Sequence, residues 1–311
     1  MKKKVLILGG FGFLGKNINN VLGTDDYKIF NESRQSGCDV LNLPQLESKL
    51  KGINPDIIIF ASANVGSINY VSDYAASVVD DNLQMYLNLY KAVLSTNKDI
   101  IILNPLANCS YPGMIDVQNE SSWWEGEIHE SVISYGMSQK TAYVISKCYE
   151  KQHGIKTVNL MLSGGYGEND YLNEERTHAM NGIIMRMVKS KNNGDKEFVV
   201  WGTGSPIREW VYMPDIARVL KEIIDNEKYD LPNPLNIGQE SGISITDIVI
   251  KAKELLDYDV NIVYDITKQD GAPIKVLGAS QFRKHFPNFE FTDYKFGMNN
   301  SIKYYRDNIT T

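Results

Sequence analysis

Apolar and polar positions in the first half of the chain alternate in blocks rather than residue by residue. Val5-Leu6-Ile7-Leu8 is a continuous apolar run, followed by a glycine-rich turn and then by helical spacing over 13–22. Strand-like runs recur at 28–32, 56–60, 99–103 and 157–162, and helix-like patterns at 43–50, 75–96 and 135–153. A strand without polar alternation is covered on both faces. Strands and helices in turn therefore predict an α/β protein with a doubly wound parallel sheet. After Gly164 the pattern loosens. Loops lengthen, aromatic residues cluster over 198–212, helices stay clear only at 180–190 and 214–226, and the stretch from 271 onward mixes short elements. The expected organisation is a dinucleotide-binding domain over 1–163, with part of 200–230 returning to it. A smaller, discontinuous C-terminal lobe for substrate takes up most of 164–311.

Composition narrows the class. The chain has 311 residues, 43% hydrophobic and 23% charged, with net charge −6. The negative balance argues against a nucleic-acid partner. Three lysines before the first apolar run imitate a secretory leader, but the run is short, glycines break it, and no small-residue cleavage site follows. No apolar window approaches the roughly eighteen residues of a membrane span. Cys38, Cys109 and Cys148 are odd in number and far apart, the usage of a reduced, cytoplasmic protein. No metal-ligand cluster stands out.

The glycine turn carries the first chemistry. Gly9, Gly12 and Gly15 follow a strand and open a helix. Glycine permits positive φ and close backbone approach, and a helix N-terminus offers free N–H groups to phosphate. That context, more than the spacing alone, points to a dinucleotide pyrophosphate.

Further motifs follow in order: Asp56 to Ala63, a strand and small-residue turn; Cys109-Ser110-Tyr111-Pro112; Tyr135-Gly136-Met137-Ser138; Gly165-Tyr166-Gly167; Trp201 to Glu209; and Tyr212-Met213-Pro214-Asp215. Together with Gly9-x-x-Gly12-x-x-Gly15 they resemble the extended short-chain dehydrogenases/reductases, over nearly the whole chain. Within that family the scattered residues look most like the GDP-fucose synthases. The resemblance implies a Rossmann-type sheet with a smaller substrate lobe, an NAD(P)(H) cofactor and a GDP-sugar substrate acted on at C4. It also implies a homodimer through the two long helices, and a setting in surface-polysaccharide sugar synthesis. Cofactor contacts would fall at Gly9, Gly12, Phe13, Leu14, Gly15, Ser33, Arg34, Asp39, Val40, Ala61, Ala63, Tyr135 and Gln139. Tyr135 would exchange the proton of the hydride step, and Cys109 and His178 would form an acid–base pair at carbon. Arg186, Trp201, Arg208 and Lys275 would hold the nucleotide diphosphate. Arginine grips phosphate bidentately, and an indole can cover a base or sugar.

Three positions depart from the family pattern. Gln139 stands where Tyr-x-x-x-Lys has lysine, Ala107 where a serine or threonine is usual, and Gly164 where an asparagine is usual. A literal Tyr-x-x-x-Lys exists at Tyr143 and Lys147, but it lies eight residues, roughly 12 Å, further along the helix. The family's spacing to Gly154 fits Tyr135. Lys140, one residue on from Gln139, is turned by about 100° and should face away. A neutral amide cannot lower the tyrosine's pKa, so reduction, with the phenol as acid, should be favoured over alcohol oxidation. A pure nucleotide-sugar epimerase and a non-catalytic dinucleotide-binding protein are the alternatives that Ala107 and Gln139 leave open. At the end of the second strand, Ser33-Arg34 leans toward the 2′-phosphate of NADP, while Glu32 next to it keeps NAD in play.

Overall fold

The structure, a computed structural model, describes residues 2–24, 26–268 and 270–309. The first half runs β1 (Lys3–Leu8), α1 (Phe13–Leu22), β2 (Tyr27–Glu32), α2 (Leu43–Ile53), β3 (Ile57–Phe60), α3 (Ile68–Asp73), α4 (Ala75–Thr96), β4 (Ile101–Ala107), α5 (Ile133–His153) and β5 (Thr157–Leu162). The remainder is β6 (Gly164–Tyr166), α6 (Ala179–Asn193), β7 (Glu197–Trp201), β8 (Ile207–Tyr212), α7 (Met213–Asp225), β9 (Leu235–Ile237), β10 (Gly242–Ser244), α8 (Ile245–Leu255), β11 (Asn261–Asp265), β12 (Ile274–Lys275), α9 (Ser280–His285) and α10 (Tyr294–Asn308).

Six strands form one wholly parallel sheet in the order β2-β1-β3-β4-β5-β9. Strand periodicity of two sends Val5 and Ile7 to one face, with α1 and α7, and Leu6 and Leu8 to the other, with α2 and α4. All four side chains are buried, which is why the run reads as continuously apolar. The chain returns across β1 to place β3 on its other side. In open α/β sheets this change of direction leaves a crevice at the strands' carboxyl ends.

The element bounds differ from the sequence reading mainly in the fourth strand, which runs on to Ala107 through Pro105. Pro105 lies beyond the stretch that pairs with β3 and faces only β5 in the ladder, so its missing N–H interrupts nothing. The short β9 joins the large sheet from within the stretch assigned mostly to the second lobe. Around β8, β10 pairs antiparallel, while β12 and β6 pair parallel; β7 and β11 form a parallel pair. These strands, with α6, α8 and α10, enclose a separate apolar core.

Candidate active site

The site begins at the glycine turn. Gly9 has φ +87°, and a Cβ there would lie 2.6 Å from the Ala61 carbonyl oxygen. A Cβ on Gly15 would lie 2.3 Å from the Gly9 oxygen. The turn is therefore packed too closely for any side chain at those two positions. Gly12 is the N-cap of α1 and makes no side-chain cap bond, so the first N–H groups of the helix open onto a cleft of about 400 Å³. The fit to a dinucleotide pyrophosphate rests on this glycine cradle.

Gly9, Gly12, Ser33, Arg34, Asp39, Val40, Ala61 and Ala63 all line that cleft. Phe13, Leu14, Gly15, Tyr135 and Gln139 do not; the Phe13 and Leu14 side chains pack into the core beneath α1, so only their backbone N–H groups can serve a phosphate. Phe11, an exposed aromatic between the glycines, does line it, and the sequence reading passed it over. At the end of β2, Glu32 is buried, paired with Lys49 at 2.9 Å and hydrogen-bonded by the Ser36 hydroxyl at 2.6 Å. Its carboxylate is thus engaged away from the cleft. Arg34 is exposed at the cleft wall, with no ion pair or side-chain hydrogen bond among the described residues.

Tyr135 sits in the first turn of α5, packed against a small apolar cluster together with Cys109 and Tyr70. Among the described residues no hydrogen bond reaches its hydroxyl. Burial, then the neighbouring Cys109, push its phenol well above the ordinary value. Burial likewise pushes the Cys109 thiol up to about 11, against the pull of Lys275. Tyr143 points elsewhere. Its hydroxyl donates to the Asn233 carbonyl at 3.0 Å, and its ring packs edge-on against Trp123 at 5.0 Å. Lys140 lies over Trp124 at 5.0 Å, facing away from Tyr135 as the helix geometry required.

Gln139 is buried, and its side-chain oxygen accepts from the Ala107 N–H at 3.3 Å; the Tyr86 phenol lies against the same amide. The two departures from the family pattern therefore meet in one contact. Ser110, the nearest hydroxyl in sequence, is fully buried and bonded to the Ala107 carbonyl and the Trp123 indole. At Gly164 a Cβ would lie 2.8 Å from the Trp210 ring, so Trp210 occupies the space an asparagine would need. Gln139→Lys should return a cation beneath Tyr135. The limb on which alcohol oxidation rises with pH should move down by about 1–3 pH units. The loss of the Ala107 N–H bond should lower the melting temperature, since a buried unpaired donor costs about 1–3 kcal/mol. A pH–rate profile paired with a melting curve checks both.

His178 is the N-cap of α6, with its ring 5.1 Å from that of Phe13 at the start of α1. Its Nδ1 lies 3.1 Å from the wholly buried Asp170 carboxylate, which also accepts the His178 backbone N–H at 3.0 Å. Burial opposes charge on the imidazole, but Asp170 outweighs it and holds His178 above its ordinary value. Asp170 was not read from the sequence. It lies eight residues upstream in an irregular loop, where no periodicity marks a partner. Arg208 and Lys275 are register partners on β8 and β12. Arg186 stacks on the Trp201 ring at 4.5 Å and donates to the Val199 carbonyl at 2.9 Å. The four expected substrate residues thus form two pairs, and no hydrogen bond or ion pair joins one to the other among the described residues. His129, also missed, feels both Lys275 and Arg208: burial and those two cations hold its imidazole below the ordinary value.

A parallel sheet with a glycine cradle at its crevice, beside an unpartnered tyrosine and a histidine–aspartate pair, defines a dinucleotide-dependent enzyme of the dehydrogenase/epimerase class. The chain belongs to the NAD dependent epimerase/dehydratase family, whose model matches residues 5–238. It is similar to the "Probable GDP-L-fucose synthase 1" of Oryza sativa subsp. japonica, 26% identical over 90% of this chain and 85% of that one. Among solved structures it superposes on a GDP-L-fucose synthetase from Naegleria fowleri bound to NADP. The TM-score there is 0.83 at 21% identity, covering 98% of this chain and 93% of that one. It also superposes on a GDP-mannoheptose C4 reductase from Campylobacter jejuni with NADP bound, with TM-score 0.83 at 18% identity and 98% of each chain covered. Among the described residues no helix is long and apolar enough to cross a membrane.

Proposed function

We propose that the chain is an NADP(H)-dependent enzyme that reduces the C4 ketone of a GDP-activated sugar, with epimerisation at a neighbouring carbon as its second capability. The observation that carries this reading is geometric: Tyr135 opens α5 beside Cys109 with no hydrogen bond to its hydroxyl among the described residues, and Asp170 holds the His178 imidazole at 3.1 Å. Tyr135 and Cys109 are pushed up and His178 is held up, so all three favour their proton-bearing forms. When bound, the dinucleotide supplies the hydride. Tyr135 then hands its proton to the developing C4 oxygen, a step in which a loaded phenol needs no cation. Epimerisation needs a base, and burial raises the Cys109 thiol above its ordinary value, which favours its protonated form at neutral pH. The site therefore favours reduction over pure epimerisation. An unpartnered phenol and an oriented imidazole also count against a non-catalytic binding protein, which needs neither. The engaged Glu32 and the free Arg34 favour NADP over NAD.

The second lobe would hold the nucleotide. The Arg186–Trp201 stack offers a flat, charged surface for a base or sugar, and Arg208 with Lys275 supplies cations for the diphosphate. GDP should raise the melting temperature more than UDP or TDP does, and Arg208→Ala should remove the difference. Differential scanning fluorimetry with the three nucleotides checks it; equal shifts would remove the GDP assignment. A homodimer through α4 and α5 belongs to the same reading, because Leu94, Ile133, Met137 and Val144 leave apolar side chains exposed on those helices. Light scattering decides it. The proposed setting is the cytoplasm, in synthesis of a deoxy-sugar or heptose for a surface polysaccharide.

A further inference from the structure

Across the open side of the dinucleotide cleft lies a feature that the proposed chemistry leaves unused. The Arg176 guanidinium sits 4.5 Å from the centre of the Tyr70 ring and 5.5 Å from that of Tyr171. All three side chains line the same cleft as Gly9 and Gly12. The Arg176 Nε is buried and has no hydrogen-bond partner, and no ion pair engages its head among the described residues. Two acidic neighbours in sequence are engaged elsewhere, Glu174 with Lys189 at 3.1 Å and Asp170 with His178 and Asn181, and the adjacent Glu175 makes no ion pair with Arg176 among the described residues. Asp81, which also lines the cleft, accepts from Asn64. A stacked, half-buried guanidinium without a carboxylate is a cation placed for an anion that the chain does not itself supply.

The segment carrying Arg176 is latched to the opposite wall. The Ser67 N–H donates to the Glu175 carbonyl at 2.8 Å. A Cβ on Gly66 would lie 2.8 Å from that same oxygen, so only glycine lets the two strands of the strap meet. Arg34 stands with Ser33 in the turn that follows β2, where the adenosine ribose falls in folds of this kind. Arg176 lies in the loop leading to α6, near enough to His178 to oppose its charge. Between those two places the anion offered by a dinucleotide is its pyrophosphate. The free N–H groups at the start of α1 would hold that group, and a further cation on the cleft wall would add to them.

We propose that Arg176, packed against the rings of Tyr70 and Tyr171, clamps the dinucleotide pyrophosphate from across the cleft and slows release of the bound cofactor. The inference rests on the cleft holding a dinucleotide. Packing against two rings restricts the planar fork before binding, so less side-chain freedom is lost when phosphate oxygens meet it.

The test is stopped-flow displacement of NADPH, followed by its fluorescence, from the parent protein, Arg176→Gln and Arg176→Lys. Loss of a charge-assisted pair should speed release by about 10- to 100-fold in Arg176→Gln, with Arg176→Lys between the two because it keeps charge without stacking. Adenosine 2′,5′-bisphosphate, which lacks the pyrophosphate bridge and the nicotinamide half, should bind all three proteins with equal affinity. NADPH retained by the parent but released at the parent rate from Arg176→Gln overturns the clamp alone. A parallel loss of the bisphosphate overturns it too, since the variant then acts through the fold or the adenosine end. A parent protein that binds no NADPH overturns the cofactor reading as well.

Discussion

Tyr135→Phe should cut ketone reduction by about 10²–10⁴-fold, the usual contribution of a positioned proton donor, while leaving dinucleotide affinity near that of the parent. The side chain loses only a hydroxyl that makes no hydrogen bond among the described residues, and its ring stays packed in the small apolar cluster it shares with Cys109. The fold should therefore barely register the change. Tyr143→Phe should do the opposite. Its hydroxyl holds the Asn233 carbonyl at 3.0 Å, so the loss appears as about 0.5–1.5 kcal/mol of stability and as little change in turnover. Steady-state kinetics beside a denaturation curve for each variant separates the two roles. In the parent, reduction should not fail for want of the phenol's proton below about pH 10, because burial moves that group upward from the ordinary phenol value. If Tyr143→Phe were the inactive variant, the proton donor would lie about two turns further along α5.

The helix register was legible in the sequence because α5 ends in Gly154, which takes up φ +77° at the C-cap; a fixed end point lets residues be counted back to Tyr135. The large sheet was legible because strands buried on both faces leave uninterrupted apolar runs. The glycine spacing was legible because backbone contact tolerates no substitute at Gly9 or Gly15. The Asp170 partner of His178 and the Arg176 strap were not. Both lie in the irregular stretch between β6 and α6, where a carboxylate and a guanidinium carry no periodic mark and acquire meaning only from the neighbours the fold brings to them. Tyr70, one of those neighbours, is about a hundred residues away from them. Gln139 was visible as a missing lysine, yet its bond to the Ala107 N–H was not. Two separate departures from the family pattern turn out to be one contact. The short β9 escaped for another reason: three residues are too few for either periodicity to show.

Gly12→Leu should abolish measurable dinucleotide binding and leave the protein folded. The backbone at Gly12 has φ −82° and ψ −178°, a conformation open to any L-residue. A Cβ built there meets only the Gly9 oxygen, at 3.3 Å, a contact that a shift of a few tenths of an ångström relieves. An apolar residue replacing glycine at this N-cap costs at most about 1 kcal/mol. The leucine side chain must instead occupy the cleft that Gly12 lines, over the N–H groups that would face the pyrophosphate. Losing those charge-assisted bonds, each worth about 1.5–3 kcal/mol, should weaken NADPH binding by about 10²-fold or more. Gly15→Ala makes the opposite comparison. Its single added carbon would lie 2.3 Å from the Gly9 oxygen and 2.6 Å from the Gly10 Cα, both backbone atoms of the same tight turn, so the turn itself must open and the protein should lose stability before binding is even in question. Calorimetric titration with NADPH and a melting curve distinguish the two substitutions. A Gly12→Leu protein that melts near the parent temperature and still binds NADPH at parent affinity would place the dinucleotide somewhere other than the glycine cradle.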